Sequence, residues 1–183
     1  MEKKEIRREI KQAILALSPT QKQLQSQFVI DTVRRIIIQR GARVVALFAP
    51  LSDEVQIMSL VDLLPTTCRV VLPRVEDCAD GKPRMAFYDY ESWALNEGAY
   101  GIMEPQSQRL CAVEDIDLMV VPGVGFTRSG VRLGRGKGYY DRYLSQEGFR
   151  AYTIGVCYAC QLYDELPAQE HDRAVDVVVC GEI

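Results

Sequence analysis

No apolar run in this chain of 183 residues approaches the roughly 20 residues needed to cross a bilayer. The start, Met1-Glu2-Lys3-Lys4-Glu5, is charged where a secretory leader would be apolar, so a soluble cytoplasmic protein is expected. A broad basic excess is also missing. The net charge is −3 and the pI near 5.3, which argues against nucleic acid or an anionic membrane as partner. Histidine occurs once, as His171, which reads as a helix-end or surface residue rather than a catalytic base. The six cysteines, at 68, 78, 111, 157, 160 and 180, lack the dense spacing of a secreted disulfide scaffold and lie mostly inside apolar runs. Reduced, buried thiols are expected. Cys157-Tyr-Ala-Cys160 has no second pair to complete a four-thiolate metal site and does not open a helix as a catalytic dithiol usually does. No repeat, low-complexity tract or linker divides the chain, whose length suits one core: a single domain over residues 1–183, and a monomer, are expected.

The hydrophobic pattern alternates between helix and strand. Ile6, Ile10, Ile14 and Leu17 recur at helical spacing and predict an amphipathic helix over 3–17. At about 100° per residue, Lys3, Lys4, Arg7, Arg8 and Lys11 fall on one flank of its stripe and Glu2, Glu5 and Glu9 on the other. Such sorting either aims the cations in one direction or makes a solubilising face. Ser18, Pro19 and Gln21 form a helix start, with Ser18 as cap and Gln21 as its capping-box partner, and Gly41 is the natural stop. Residues 44–49 are a continuous apolar run of strand length, the pattern of a parallel strand covered on both faces, and 117–122 read as the buried strand that feeds the glycine loop. Strands are also expected at 69–73, 85–90, 151–156 and 176–180, helices at 53–64 and 139–146, and an irregular stretch at 93–108. The sum is an α/β fold, a mostly parallel sheet flanked by helices on both faces, whose ligands gather beyond the carboxyl ends of the strands.

Residues 121–142 concentrate the chemistry. Gly134, Gly136 and Gly138 alternate with Arg135 and Lys137, and Arg132 and Asp141 stand within the same ten residues. Glycines let the backbone turn sharply and present N–H groups, fixed cations flank whatever sits there, and a helix beginning near Tyr139 adds its positive end. This reads as a polyphosphate cradle. It is not a Walker A loop, because no Gly-Lys-Ser/Thr closes it, and its glycine spacing differs from the dinucleotide fingerprint. Three glycines alone could be a tight turn, but a turn has no need of so many charges.

The segments Pro122-Gly-Val-Gly-Phe126 and Gly130-Val-Arg-Leu-Gly-Arg-Gly-Lys-Gly-Tyr-Tyr-Asp-Arg142 resemble the signature of the 5-formyltetrahydrofolate cyclo-ligase, or methenyltetrahydrofolate synthetase, family. Lys3-Lys-Glu-Ile-Arg7, Asp53-Glu54-Val55, Gly101-Ile-Met-Glu-Pro105 and the tail from Ile154 to Asp176 agree in order, so the resemblance covers nearly the whole chain. It implies ATP- and Mg²⁺-dependent closure of 5-formyltetrahydrofolate to 5,10-methenyltetrahydrofolate with release of ADP and phosphate. It further implies that Arg132, Leu133, Gly134, Arg135, Gly136, Lys137, Gly138, Tyr139 and Tyr140 contact ATP, with Arg135 to Tyr139 also facing the folate. Arg135 and Lys137 become the catalytic residues, and Lys3, Lys4 and Arg7 reach the nucleotide from the first helix. Asp141 and Asp172 match magnesium positions, although Asp141 could instead cap its helix and Asp172 pair with Arg173. Leu51, Glu54 and Gln56 match a folate loop, with Glu104, Tyr152 and Gln161 as further folate candidates. The sequence departs from the family pattern at Gln56-Ile57, Gly125 and Thr127. The competing readings are a non-catalytic nucleotide- or phosphometabolite-binding module, a sugar-phosphate isomerase or CoA-transferase relative, and a redox protein built on Cys157 and Cys160.

Overall fold

Alternate residues of three apolar strands face two different cores. Val45, Leu118, Val120, Ile154 and Val156 pack on one side, and Ala46, Met119, Val121 and Cys157 on the other. The strands are β1 (Val44–Ala46), β7 (Leu118–Val121) and β10 (Tyr152–Cys157), the middle of a seven-stranded sheet in a computed structural model that describes residues 2–98 and 101–182. β12 (Val177–Cys180) pairs with β10 at one edge; β2 (Arg69–Glu76), β3 (Arg84–Asp89) and β6 (Leu110–Cys111) follow β1 toward the other, giving the order β12-β10-β7-β1-β2-β3-β6. Every pairing from β12 to β2 is parallel, and β3 and β6 complete the sheet by antiparallel pairing. The α/β architecture and the mostly parallel sheet are therefore as the sequence indicates.

Helices cover both faces. On the first, α1 (Lys3–Ala16) buries Ile6, Ile10 and Ile14, and α2 (Pro19–Arg40) buries Val29, Val33 and Ile37. The α2 start is a complete capping box: the Gln21 N–H donates to Ser18 Oγ at 3.2 Å and Gln21 Oε1 accepts from the Ser18 N–H at 2.9 Å. Gly41 ends it at φ 63°. On the second face, α4 (Tyr139–Leu144) packs Tyr143 on Phe87, ring centroids 4.8 Å apart. No helix among the described residues is long and apolar enough to cross a membrane.

Three expectations need correction. Of residues 53–64, only α3 (Leu60–Leu63) is helical. Side chains satisfy the backbone of the preceding segment locally, with Glu54 Oε2 accepting the Leu51 N–H at 2.9 Å and Gln56 Nε2 donating to the Leu51 and Glu54 carbonyls at 2.8 Å each. Val55 and Ile57 are buried at a spacing of two, an extended pattern. Within 93–108, β4 (Leu95–Glu97) and β5 (Met103–Pro105) pair antiparallel. Lastly, only Cys111 and Cys157 are fully buried, and the other four cysteines are half-buried.

Candidate active site

The glycine segment is raised on a small sheet that the strand pattern does not announce. β8 (Gly125–Thr127) turns into β9 (Arg132–Leu133), and β11 (Leu162–Tyr163) pairs with β8 on its other side. The turn needs Gly130, whose φ is 92° and whose missing side chain admits the Val175 carbonyl. The Phe126 ring fills the space left by Gly123 and Gly155, at each of which a Cβ would come within 2.7 Å of it. This hairpin delivers residues 134–138 across the carboxyl ends of β1 and β7, where an open parallel sheet binds its ligands.

Within the loop, Gly136 at φ 99° and Gly138 at φ 68° adopt backbone that other residues avoid. A Cβ on Gly136 would meet Arg7 only at 3.6 Å, an ordinary contact, so the requirement there is conformational. Gly136→Ala should cost about 1–2 kcal/mol of stability through backbone strain, read as a lowered unfolding midpoint in urea. An unchanged midpoint would show that the loop relaxes freely.

The cations of the loop are tethered. Arg132, with 4% of its side chain exposed, donates to Asp141 Oδ1 at 2.8 Å and to the Pro122 carbonyl at 3.2 Å, fastening the entry of the loop to the start of α4. Its Nε and the Tyr140 hydroxyl are buried without a hydrogen-bond partner among the described residues. Burial, with Glu54 nearby, pushes the Tyr140 phenol far above its ordinary value and keeps it a neutral donor. Arg135 reaches back to the segment after β1, to Asp53 at 2.6 and 3.2 Å and to Glu54 at 3.0 and 3.1 Å. Lys137 is exposed and lines the cleft described below. α4 is six residues long, so these cations, more than the helix dipole invoked from the sequence, set the local field.

One cation of the sorted flank of α1 reaches this loop and another reaches the segment around Asp172. Arg7 Nε donates to the Gly134 carbonyl at 2.8 Å, and Lys3 Nζ lies 2.6 Å from Asp172 Oδ2. Lys4 is exposed on the same helix. Arg7 and Lys11 form one wall of a small cleft of about 140 Å³ whose other wall includes Gly123, Val124 and Arg135. Gln161 stands behind it, donating through Nε2 to the Gly123 and Val124 carbonyls at 3.1 and 2.9 Å, which fixes the exit of β7.

The two candidate metal carboxylates lie on adjoining segments, since the Arg173 N–H donates to Asp141 Oδ1 at 3.1 Å. Asp172 also accepts the Gln169 N–H at 2.8 Å, and its neighbour His171 is exposed, as expected. Burial alone would raise the Asp172 carboxyl, but Lys3 and the Gln169 N–H overcome it and hold it below its ordinary value. A depressed folded pKa means that this contribution to stability is present above the unfolded value and lost as pH falls through the folded one. The stability gap between the wild type and Lys3→Met should therefore be constant near about pH 6 and shrink toward about pH 3 in urea titrations. A gap independent of pH would contradict the pairing.

A larger cleft of about 310 Å³ opens on the other side of Arg135. Its walls are Phe48 and Leu51 after β1, Pro73, Val75 and Met85 from β2 and β3, Ile102 and Glu104 from the β4–β5 hairpin, and the glycine loop with Tyr139 and Tyr140. Glu54 and Glu104 are buried carboxylates on its rim, and Glu104 Oε1 accepts the Val75 N–H at 3.1 Å. Arg74 anchors that wall. It stacks 3.6 Å from the Tyr88 ring centroid and donates to the Pro105 and Ser107 carbonyls at 3.1 Å each.

Thus Leu51, Glu54, Glu104, Arg132, Gly134, Arg135, Lys137, Gly138, Tyr139, Tyr140 and Asp141 meet in one cleft. Other residues do not join it. Leu133 is buried in the core, and Gly136 is an exposed turn beside Arg7. Gln56 lines a separate groove beside α2 with Lys22 and Ser26. Tyr152 begins β10 at the opposite end of the sheet, with Arg40 stacked 3.5 Å from its ring centroid. The apolar wall from Pro73, Val75, Met85 and Ile102 escapes sequence reasoning because ordinary strand residues carry no signal. The one pointer is Arg74, a charge inside an apolar strand.

A cationic glycine loop and an apolar cleft with two buried carboxylates, joined at the carboxyl edge of an α/β sheet, have the layout of a small-molecule binding site in an open parallel sheet. A sequence model of the 5-formyltetrahydrofolate cyclo-ligase family matches residues 1–181. The chain is 36% identical over 143 residues to the 5-formyltetrahydrofolate cyclo-ligase of Mycolicibacterium smegmatis, covering 76% of this chain and 74% of that one. It is 27% identical to the Mus musculus protein of the same name over 97% of this chain and 92% of the relative. The structure of Aquifex aeolicus 5,10-methenyltetrahydrofolate synthetase superposes with a TM-score of 0.83 at 32% identity, covering 98% of this chain and 90% of that one. The corresponding synthetase of Mycoplasma pneumoniae gives 0.77 at 29% identity, over 97% and 98%. This chain belongs to the 5-formyltetrahydrofolate cyclo-ligase family.

Proposed function

We propose that this protein closes 5-formyltetrahydrofolate to 5,10-methenyltetrahydrofolate at the expense of ATP, in a Mg²⁺-dependent reaction that releases ADP and phosphate. The observation that carries the proposal is the position of the glycine loop, which forms a wall of the apolar cleft while Arg135 separates that cleft from the small cationic one beside α1. Two substrates can thus approach one loop from two sides.

The formyl group on N5 is amide-like and a poor electrophile, so its oxygen must become a leaving group. Transfer of the γ-phosphoryl to that oxygen makes it one; N10 of the same molecule then attacks the formyl carbon, the C–O bond breaks, phosphate departs and the N10 proton passes to solvent. Holding the folate bent makes the attack intramolecular. Such chemistry needs positioning and neutralisation of charge more than a protein nucleophile.

Each residue has a part suited to its place. Lys137 and Arg135 neutralise the moving phosphoryl group, while the Gly134, Gly136 and Gly138 backbone lets phosphates approach closely. Arg7, Lys3 and Lys4 draw the nucleotide toward the loop from α1. Leu51, Tyr139 and the apolar wall hold the flat pterin, and Glu54 and Glu104 answer its guanidine-like edge. Gln56 and Gln161 act at one remove, ordering the 51–56 segment and the exit of β7. Asp141 and Asp172 would hold Mg²⁺, and their hard oxygen donors on adjoining segments suit it; two carboxylates would leave the rest of its set to phosphate oxygens and water. The ion supplies neutralisation of phosphate charge.

The purified protein, mixed with 5-formyltetrahydrofolate, ATP and Mg²⁺, should develop the ultraviolet absorbance of the methenyl product only when ATP is present. ATP binding without turnover would leave a nucleotide-binding module in place of an enzyme.

A further inference from the structure

Cys157 has a partner, and it is not Cys160. Cys157 ends β10 with its side chain in the core of the α4 face, whereas Cys160, on the 3-10 turn after the strand, packs against the core of the α1 and α2 face. The residue in parallel register with Cys157 is Cys180, the last residue of β12, and Cys180 packs against the same core as Cys157. Register partners on neighbouring strands lie about 4.8 Å apart, within the span of about 4.4–6.8 Å that a disulfide bridges between Cα atoms. The Gly181 N–H already donates to the Cys157 carbonyl at 2.8 Å, so the two strand ends are held together.

The geometry points to Cys180 as a peroxide-reactive thiol and to Cys157 as the thiol that resolves it into a disulfide. β12 is an edge strand and Cys180 is half-buried, whereas Cys157 is fully enclosed, so of the two thiols Cys180 is the more open to a small oxidant. The thiols are also electrostatically unequal. A hydrogen bond with Cys157 and the nearby Arg128 guanidinium draw Cys180 below its ordinary value against the effect of burial, and the same hydrogen bond together with burial pushes Cys157 up. The more exposed sulfur is therefore the one that more readily becomes a thiolate.

The chemistry balances with hydrogen peroxide as the oxidant. The Cys180 thiolate attacks one peroxide oxygen, the O–O bond breaks, a proton is taken up, and sulfenic acid and water result. The Cys157 thiol then attacks the sulfenic sulfur; the S–O bond breaks, an S–S bond forms, and the oxygen leaves as a second water carrying the thiol proton. Two thiols are oxidised and one peroxide is reduced. The staple closes the segment between 157 and 180, which carries Gln161 behind the glycine loop and Asp172 opposite Lys3.

Peptide mapping of the full-length protein tests this assignment without reference to turnover. Trypsin cuts after Arg150 and Arg173, which places Cys157 and Cys180 on separate peptides. After native protein is treated with stoichiometric hydrogen peroxide and its remaining thiols are alkylated, the non-reduced map should show those two peptides joined, with fragmentation placing the bond at Cys157. Titratable thiols after unfolding should fall from six to four and return with dithiothreitol. Cys180→Ser should abolish the linked peptide, and Cys157→Ala should leave a dimedone-trappable sulfenic acid at Cys180. A bond from Cys160 to either partner, or a Cys180 left as thiol while other cysteines oxidise, would overturn the assignment, and the wild-type map alone decides this even if a variant folds poorly.

Discussion

Replacing Lys137 with alanine should lower kcat by about 100- to 1,000-fold, about 2.7–4 kcal/mol of transition-state stabilisation. Lys137 is exposed and lines the cleft between Gly136 and the first turn of α4, so in the proposed reaction its loss removes positive charge from the developing phosphate and little from the core. Any cost in stability is read separately, from the unfolding free energy in urea. Steady-state kinetics beside urea unfolding separates the two effects. Wild-type kcat in the variant would make this lysine peripheral to the chemistry.

The second large effect falls on stability. Arg132→Ala removes a side chain that is almost wholly buried and leaves Asp141 without its cation, a change that typically costs about 3–5 kcal/mol. The Pro122 carbonyl loses a donor as well, so the exit of β7 and the start of α4 come apart together. Arg132 thus holds the loop in place, beside the contact with ATP that the family resemblance implies for it. Pairing the change with Asp141→Asn should return part of the loss, because the stranded carboxylate is then neutral, and a double-mutant cycle in urea measures the coupling. Strict additivity would mean that the 2.8 Å contact contributes nothing.

How much of the molecule is legible in its sequence depends on the range of the interactions. Helix caps are local, so Ser18, Gln21 and Gly41 announce α2 correctly. The runs around β1, β7 and β10 are legible because strands buried on both faces need apolar residues at every position. Residues 53–64 mislead, because Glu54 and Gln56 satisfy backbone groups that a helix would have used. The strands β8, β9 and β11 have two or three residues each, too few to show a period. The family motif marks the glycine loop but not what the loop touches. The hold of Asp53 and Glu54 on Arg135 joins residues about 80 positions apart, and the apolar wall of the cleft is assembled from separate strands, neither of which leaves a local trace. Tyr152 shows the reverse case, a folate candidate that the parallel register carries to the far end of the sheet.

The most direct test follows one atom. If the loop drives a phosphoryl group onto the formyl oxygen, a heavy-oxygen label placed in the formyl group of 5-formyltetrahydrofolate must leave in the inorganic phosphate, one labelled oxygen for each ring closed. Mass spectrometry of the phosphate after turnover with unlabelled ATP in unlabelled water should find it there. Label recovered in water, with the phosphate unlabelled, would show that the ring closes without phosphoryl activation and would contradict the loop's role in phosphoryl transfer.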